Sequence, residues 1–396
     1  MNLKVVGGGI IALTTAICAS ERGHHVRLDF WRRRESGSPV DCFAHQALNY
    51  STSGAAAAFW TPFAVGEYKR QWAIETLTRL QATPGGRADT GVFPGRLHVL
   101  LHDKLEARTQ LEGPLWWTRL PNTWASPNGP LLRHLRVPRL IAGEQFDYEI
   151  VSEVPIIDVH QYIPFLCRYA EKCGVVFVSY DHPLERSQAM DRLGFDALAL
   201  CCGGWTPRLV SDLIPDRVIG LTGQLSLAST NDKSLVDGAV YLAHLSDSQR
   251  PVYAVSGAKK TDAWLGGTMF TSEFTDPAKA PLRHQEEEVR MHRQANEMLG
   301  DVESIGSSSR GFRIGIRPYR NSVRLEILPY GHERDEGPVL VNYGHGGAGY
   351  SLSWGCAADA VTQLEAATMN VMTSRDAVLE GLLSPSQHKR AQCAPS

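Results

Sequence analysis

The sequence predicts an α/β chain in which a Rossmann-like nucleotide-binding domain is interleaved with an α+β domain built on a mixed, largely antiparallel sheet. Three observations predict this class. The chain opens with a strand, a glycine-rich turn and a helix, and it closes with the strand-like "PVLVNY", a second glycine-rich turn and another helix. Between them lies the continuous apolar run "FDALALCC". Such runs are typical of buried parallel strands.

The N-terminal stretch predicts a βαβ unit. The pattern indicates a strand over 3–6, a helix over 10–22 and a strand over 25–30. A secretory signal peptide is the alternative, because a lysine precedes an apolar run and small residues. The triple glycine and the direct continuation into a second strand favour the βαβ unit, and with it a cytoplasmic protein.

The rest of the chain alternates between sheet-like and helical texture. Residues 32–51 are polar and irregular, so we expect a long surface loop there, and 90–150 predicts antiparallel sheet with loops. Asp158 is a candidate N-cap for a helix that leads into the strand "VVFVSY" and then into "FDALALCCGGW". Residues 216–314 again predict mixed sheet.

Composition excludes several classes of function. The net charge of −2 gives no support for a nucleic-acid or membrane-surface partner. The eight cysteines are scattered without a pair of CxxC motifs, which predicts reduced thiols and no metal site. No segment is long and apolar enough to predict a membrane span. With 396 residues, two domains are the natural expectation.

The first motif is Gly7-Gly8-Gly9-Ile10-Ile11-Ala12, a GxGxxG/A pattern between strand and helix. Gly7 permits the tight turn, and Gly9 lets a pyrophosphate approach the helix N-terminus. Asp29 ends the second strand 22 residues after Gly7, where an acid can accept hydrogen bonds from a ribose. This fingerprint predicts a dinucleotide, and it does not separate NAD from FAD.

Further motifs distinguish FAD from NAD, because they resemble the motifs of a known family. "NYGHGGAGYSLSWGCA" (342–357) and "GIRPYRNSVRLE" (315–326) resemble the C-terminal signature and the arginine-bearing strand of the D-amino-acid oxidase family, flavoenzymes that include D-aspartate oxidase. "TSGAAAAFWTPF" (52–63), "CCGGWTP" (201–207) and "TGQL" (222–225) are similar to further family motifs in the family's order. The resemblance covers nearly the whole chain and implies FAD as the cofactor.

The resemblance implies a set of cofactor-binding positions along the chain. They are Gly7, Gly9, Ile10, Ile11, Asp29, Thr52, Ser53, Ala57, Ala58, Phe59, Cys202, Gly203, Trp205, Arg317, Gly346, Gly349, Tyr350 and Ser351. The glycines near the C-terminus would be positions where backbone approaches the flavin closely.

Four positions are implied for the substrate. Arg317 matches the carboxylate-binding arginine, whose planar fork suits a carboxylate. Tyr253 matches a tyrosine that also touches the carboxylate, the carbonyl of Gly347 would receive the amine, and Tyr241 is the candidate for a lid tyrosine. No side-chain base is assigned, and His345 is interpreted as structural rather than catalytic.

The implied reaction is oxidative deamination of a D-amino acid. The α-hydrogen would pass as hydride to flavin N5, and oxygen would reoxidise the flavin to give hydrogen peroxide, with a 2-oxo acid and ammonia as products. D-aspartate, glycine or a specialised biosynthetic amine acid are alternative substrates, and Arg250 is a candidate partner for an acidic side chain. Another electron acceptor, a non-catalytic flavin-binding protein and an NAD-dependent dehydrogenase also stay open, as does a homodimer.

The domain boundaries follow from these placements. Segments 1–85, 151–215 and 315–384 would form a discontinuous FAD-binding domain, and segments 86–150 and 216–314 would form the substrate domain. Residues 385–396 are expected to be a disordered tail.

Overall fold

Fifteen strands in the described part of the chain form one continuous sheet. The computed structural model describes residues 1–32, 37–62, 69–83, 85–86, 88–113, 116–119, 131–246, 251–273, 285–300, 303–328 and 337–383. The strands are β1 (Asn2–Val6), β2 (His25–Trp31), β3 (Ala58–Phe59), β4 (Val92–Leu101), β5 (Leu131–Ile141), β6 (Glu144–Ile157), β7 (Val176–Tyr180), β8 (Ala197–Leu200), β9 (Ile219–Thr230), β10 (Ala239–His244), β11 (Pro251–Ser256), β12 (Asp262–Gly266), β13 (Phe270–Glu273), β14 (Ile305–Ile327) and β15 (Val339–His345).

Helices connect many of the strands, and a long helix ends the described part of the chain. They are α1 (Ile10–Glu21), α2 (Pro39–Tyr50), α3 (Arg70–Gln81), α4 (Lys104–Glu112), α5 (Val159–Lys172), α6 (Arg186–Met190), α7 (Thr206–Leu209), α8 (Lys233–Val236), α9 (Gln285–Leu299) and α10 (Gly349–Leu383). Of the helices in the described ranges, none combines the length and the apolar character needed to cross a membrane.

One half of the sheet is parallel and forms the Rossmann-like part. Its order is β7-β2-β1-β8-β15, with every neighbouring pair parallel. All four residues of β8 are buried, which confirms the parallel strand predicted from the apolar run. The carboxyl ends of these strands therefore meet at one edge, where doubly wound sheets bind their ligands.

The other half is mixed and mostly antiparallel. From β15 the order continues β14-β9-β12-β11-β10 through antiparallel pairs, and β10 then pairs in parallel with β4. This confirms the predicted fold class. The domain boundary predicted at 314/315 falls inside β14, a strand shared by both halves.

The prediction of a surface loop over 32–51 is wrong, because α2 takes up most of that segment. The hydroxyl of Ser38 accepts from the backbone N–H of Asp41, Asp41 caps the N-terminus in return, and Pro39 takes the first turn. Because the segment is polar, the sequence predicted a loop in spite of this capping box. The helix packs Phe43 edge-on against Phe30 of β2, with ring centroids 5.1 Å apart. A packed helix therefore lies beside the carboxyl end of β2, where the sequence predicted a loop.

Helices also interrupt the stretches that the sequence predicts as sheet. α4 lies within 90–150, and α9 lies within 216–314. By contrast, α5 begins where predicted, with the carboxylate of Asp158 accepting from the N–H of His160. The tail predicted over 385–396 lies outside the described residues, as does Arg250.

Candidate active site

A cavity of about 1220 Å³ runs along the carboxyl edge of the parallel strands and over one face of the antiparallel half. One end is bounded by the Gly7–Gly9 turn, Trp31 and Trp205, and the other by Arg317 and Tyr253. Its volume exceeds the range of roughly 300–1,000 Å³ typical of small-molecule sites. It therefore has room for a long ligand together with a second, smaller one.

The N-terminal glycine turn brings backbone to the cavity wall. Gly7 has φ +153°, and a Cβ placed there would clash with the carbonyl of Cys201. Gly9 is the N-cap of α1 and carries no side chain to cap it, while the N–H of Ile10 donates to Oγ of Ser53 at 3.0 Å. The partly positive helix N-terminus thus lies against the cavity.

The segment rich in small residues forms the adjoining wall. Thr52, Ser53, Ala57, Ala58 and Phe59 all line the cavity. The hydroxyl of Thr52 donates to the carbonyl of Ile316 at 2.7 Å, which fastens the segment to β14.

Arg313 supports this wall from behind. Its guanidinium lies 4.0 Å from the centre of the Trp264 ring and donates to the carbonyls of Gly54 and Ala56, at 3.4 and 3.5 Å. Burial lowers the pKa of Arg313 to about 10, which still leaves it charged at neutral pH.

Arg317 and Tyr253 meet in the cavity, 3.5 Å apart between Nη2 and the hydroxyl. Two glycines make room for them: a Cβ on Gly223 would clash with the guanidinium, and one on Gly266 would clash with the tyrosine ring and hydroxyl. Gly266 lies directly opposite Tyr253 in the β11–β12 pair. The sheet is therefore shaped around these two side chains.

The C-terminal glycine corner closes the cavity beside Arg317. Gly344 and Gly346 have φ of +86° and +54°, so they adopt left-handed backbone. A Cβ on Gly347 would lie 3.8 Å from Cδ of Arg317. Gly346, Gly347 and Gly349 line the cavity, and α10 begins at Gly349 with its N-terminus towards it.

The opposite end is closed by the turn after β8. Cys202, Gly203 and Trp205 line the cavity there, and Gly203 has φ +58°. The Arg208 guanidinium lies 4.5 Å from the centre of the Trp205 ring. An aromatic and cationic surface of this kind suits a nucleotide.

A profile of the protein family described as "FAD dependent oxidoreductase" matches residues 3–364. The chain belongs to this family. FAD is therefore its cofactor, and the enzyme is an FAD-dependent oxidoreductase.

The oxidoreductase is similar to several named proteins over nearly its full length. It is 28% identical to a D-amino-acid oxidase of Streptomyces coelicolor over 378 residues, which cover 91% of this chain and 95% of that one. It is 23% identical to human D-aspartate oxidase over 373 residues, covering 91% and 93% of the two chains. The solved glycine oxidase of Bacillus cereus has a similar fold, with a TM-score of 0.63 at 14% identity, covering 92% of this chain and 97% of that one.

The residues present fit FAD. The glycine turn at Gly7–Gly9 lines the cavity and would hold the pyrophosphate, and a Cβ on Gly7 would clash with Cys201 and Ala12 behind the turn. The corner at Gly346 and Gly347 leaves backbone bare beside Arg317, so a flat ring can approach it. The N-termini of α1 and α10 place partial positive charge at both positions.

Asp29, predicted to bind the ribose, is a correction. Its carboxylate is fully buried, does not line the cavity, and accepts from Nε and Nη2 of Arg27 at 2.6 and 2.7 Å. The hydroxyl of Tyr180 donates to it at 3.0 Å, and Nζ of Lys4 lies 3.6 Å away. Arg27 and Asp29, two apart on β2, lie on the same side of the strand, and neither lines the cavity.

Tyr241, the candidate lid tyrosine, is also a correction. Leu242 lies opposite Tyr253 and lines the cavity, and since neighbours on a strand alternate, Tyr241 points to the other face. There its ring stacks on His98 at 4.4 Å and its hydroxyl pairs with Ser234 at 2.9 Å.

Ser351 is the third correction. Its hydroxyl accepts from the N–H of Thr61 at 2.9 Å and donates to the carbonyl of the same residue at 3.0 Å. It is buried and does not line the cavity. Tyr350 does line it, and its hydroxyl donates to the carbonyl of Ser53.

His345 lies at the cavity wall without the properties of a base. Burial, reinforced by the nearby charge of Lys69, lowers the pKa of its ring to about 3. Its Nε2 lies 3.4 Å from Sγ of Cys356, and burial raises the pKa of that thiol to about 12. A protonated thiol thus faces a neutral ring, in agreement with the structural interpretation.

Sequence reasoning missed the apolar walls around Arg317 and the side chain of Gln46. Leu221 lies opposite Arg317 across the β9–β14 pair, and Leu242 lies opposite Tyr253. Both assignments depend on the pairing register between strands, which one sequence does not show. Gln46 could have been found from the capping box, because a polar residue then falls on the buried stripe of α2.

Proposed function

We propose that this oxidoreductase catalyses oxidative deamination of D-amino acids with neutral, apolar side chains. The observation that carries the proposal is the pairing of Arg317 with Tyr253 inside the cavity, beside the bare backbone of Gly347. When bound, FAD supplies the two-electron oxidation of the carbon–nitrogen bond.

Arg317 and Tyr253 form a carboxylate anchor. A guanidinium offers two parallel N–H donors to a carboxylate, and the tyrosine hydroxyl adds a third donor. Gly223 and Gly266 fix the positions of those donors, because Arg317 and Tyr253 fill the space that a side chain on either glycine would need. A substrate held this way has its α-carbon oriented before any bond breaks.

The amine needs an acceptor rather than a base. Gly347 lines this part of the cavity, and its carbonyl would accept from a neutral amine, as the family resemblance implies. His345 does not compete for that role, because its ring is held neutral by burial and paired with Cys356.

The walls next to the anchor indicate the class of side chain. Leu221, Leu225, Leu242 and Met269 line the cavity, which favours burial of an apolar group. A second carboxylate placed among these four apolar side chains would lose hydration and gain no hydrogen-bond donor from any of them. The similarity to D-amino-acid oxidases supports a D-amino acid as the substrate.

Anaerobic mixing tests the proposal. We expect the flavin absorption of the purified enzyme to bleach with D-leucine or D-methionine, to respond weakly to D-aspartate and glycine, and not to respond to L-leucine. Bleaching by the L-enantiomer would overturn the handedness, and bleaching by D-aspartate alone would overturn the apolar class. A flavin that no amino acid bleaches would favour a non-catalytic flavin-binding protein.

We further propose oxygen as the electron acceptor, with hydrogen peroxide as a product. Support comes from the relatives, which are named oxidases. A peroxidase-coupled assay with the D-amino acid tests it, and reduced flavin that is stable in air would contradict it. The cytoplasmic location and the homodimer stay predictions, to be checked by cell fractionation and by mass in solution.

A further inference from the structure

We propose that the side-chain amide of Gln46 binds a hydroxyl of the adenosine ribose of FAD. This is the role that spacing assigns to Asp29. It concerns recognition of the cofactor and does not depend on which amino acid the enzyme oxidises.

The first step is that Asp29 already has its partners. Three donors surround its carboxylate, from Arg27 and Tyr180, and the ammonium of Lys4 lies 3.6 Å away. Lys4 is itself only 1% exposed, and its Nζ donates to the carbonyls of Gln188 and Asp191 at 2.6 and 2.9 Å. Turning Asp29 into the cavity would leave buried charges without a counter-ion, at a cost of several kcal/mol.

The second step is that Gln46 lacks a partner where one is needed. Its side chain is 8% exposed, and its Oε1 is buried without a hydrogen-bond donor among the described residues. A buried polar atom left unpaired costs about 1–3 kcal/mol, so native proteins rarely leave one without a purpose. Rotation of the amide would bring this oxygen to the cavity that Gln46 lines, where a ligand that donates a hydrogen bond would remove that cost.

The third step is location. Gln46 lines the cavity, and its Cγ lies 3.7 Å from the position of a Cβ on Gly8, within the dinucleotide fingerprint. Phe30 and Trp31, at the carboxyl end of β2, line the same end of the cavity. In dinucleotide-binding folds the adenosine ribose lies beside this strand end.

The fourth step is chemical fit. A primary amide carries one acceptor oxygen and two N–H donors on a plane that rotates about the last side-chain bond. A ribose hydroxyl both donates and accepts, so it can pair with either side of the amide. The helix that carries Gln46 is capped and packed on β2, which fixes the backbone from which the amide extends.

The test compares FAD with two analogues in which the adenosine is 2′-deoxy or 3′-deoxy. Dissociation constants are measured by fluorescence titration of the apoprotein, without amino acid. We expect the wild type to bind one analogue about 3- to 10-fold more weakly than FAD, the range of one net hydrogen bond. Gln46→Met, which keeps the shape, should bind FAD more weakly by a similar factor and no longer distinguish that analogue.

Gln363→Met on α10 is the matched control, because Gln363 bonds Asp359 and does not line the cavity. A wild type that binds both analogues as tightly as FAD would overturn the proposal, as would a Gln46→Met variant that still discriminates. Should Gln46→Met fail to fold, the wild-type titrations decide alone. Because no amino acid is present, failure here is distinct from failure of the proposed reaction.

Discussion

The two ends of the cavity differ in how well sequence identified their residues. At the substrate end, Arg317 and Tyr253 both lie in the cavity and contact each other. At the adenosine end, the predicted acid Asp29 lies near in sequence but faces away, held by Arg27 and Tyr180. A motif that includes the neighbouring residues predicts which way a side chain points, whereas a spacing rule predicts only where the residue lies along the chain.

The physical reason lies in the neighbours of each residue. Gly223 and Gly266 leave space on one side of the sheet only, so Arg317 and Tyr253 have one place to go. Asp29 is fully buried, and Arg27, two residues earlier on β2, pairs with its carboxylate together with the buried ammonium of Lys4.

The strongest test of the substrate end is Arg317→Ala. Loss of two charge-assisted hydrogen bonds, about 3–6 kcal/mol together, should lower kcat/KM roughly 10²- to 10⁴-fold while FAD stays bound. Stopped-flow flavin reduction measures the loss. Arg317→Lys keeps the charge without the fork and should lose less. An Ala variant reduced at the wild-type rate would contradict the carboxylate anchor.

The matching test of the adenosine end is Asp29→Asn. Removing one partner of a buried ion pair typically costs about 3–5 kcal/mol, so the free energy of unfolding measured by denaturant should fall by that order. The affinity for FAD, measured well below the melting temperature, should change less than about twofold because the carboxylate does not line the cavity. Normal stability with tenfold weaker FAD binding would restore Asp29 as the ribose ligand.

These contrasts show how far sequence can go. The parallel strands, the two glycine turns and the anchor were predictable because each has a local pattern or a motif with fixed neighbours. The helix α2 was missed because its polar composition outweighed the capping signal at Ser38 and Asp41. The role of Gln46 was missed for the same reason, because the exposure of its side chain depends on how α2 packs against β2.

The second limit of sequence-based prediction is the face of the sheet to which a side chain points. Tyr241 and Tyr253 are both tyrosines on neighbouring strands, and only the register of β10 against β11 decides which faces the cavity. Register depends on long-range pairing that one sequence does not show. The two tyrosines therefore make a natural matched pair.

Tyr253→Phe should lower kcat/KM by about 10- to 100-fold, since one hydrogen bond to a charged group is worth about 1.5–3 kcal/mol. Tyr241→Phe should leave kcat/KM unchanged, because its hydroxyl pairs with Ser234 on the other face. Steady-state kinetics with the same D-amino acid measure both. Equal losses in the two variants would mean that the assignment of faces is wrong.

The smallest expected effect concerns His345, at the corner between the two ends. Its pKa is held at about 3 in the folded protein, by burial and by Lys69, against an ordinary value near 6.5. Below pH 6.5 the unfolded chain binds a proton that the folded protein refuses, so this residue's contribution to stability falls as pH falls. Between pH 6.5 and 5.0 we expect a loss of about 1.5 kcal/mol from this group.

His345→Asn removes the titration and should flatten the dependence of unfolding free energy on pH by that amount. His160 and His244, whose pKa values burial also lowers, contribute equally to both proteins and cancel in the comparison. Parallel curves for wild type and variant would mean that the His345 ring takes up a proton in the folded state. The glycine corner would then carry a charge beside Arg317, which would contradict a carboxylate anchor without a nearby base.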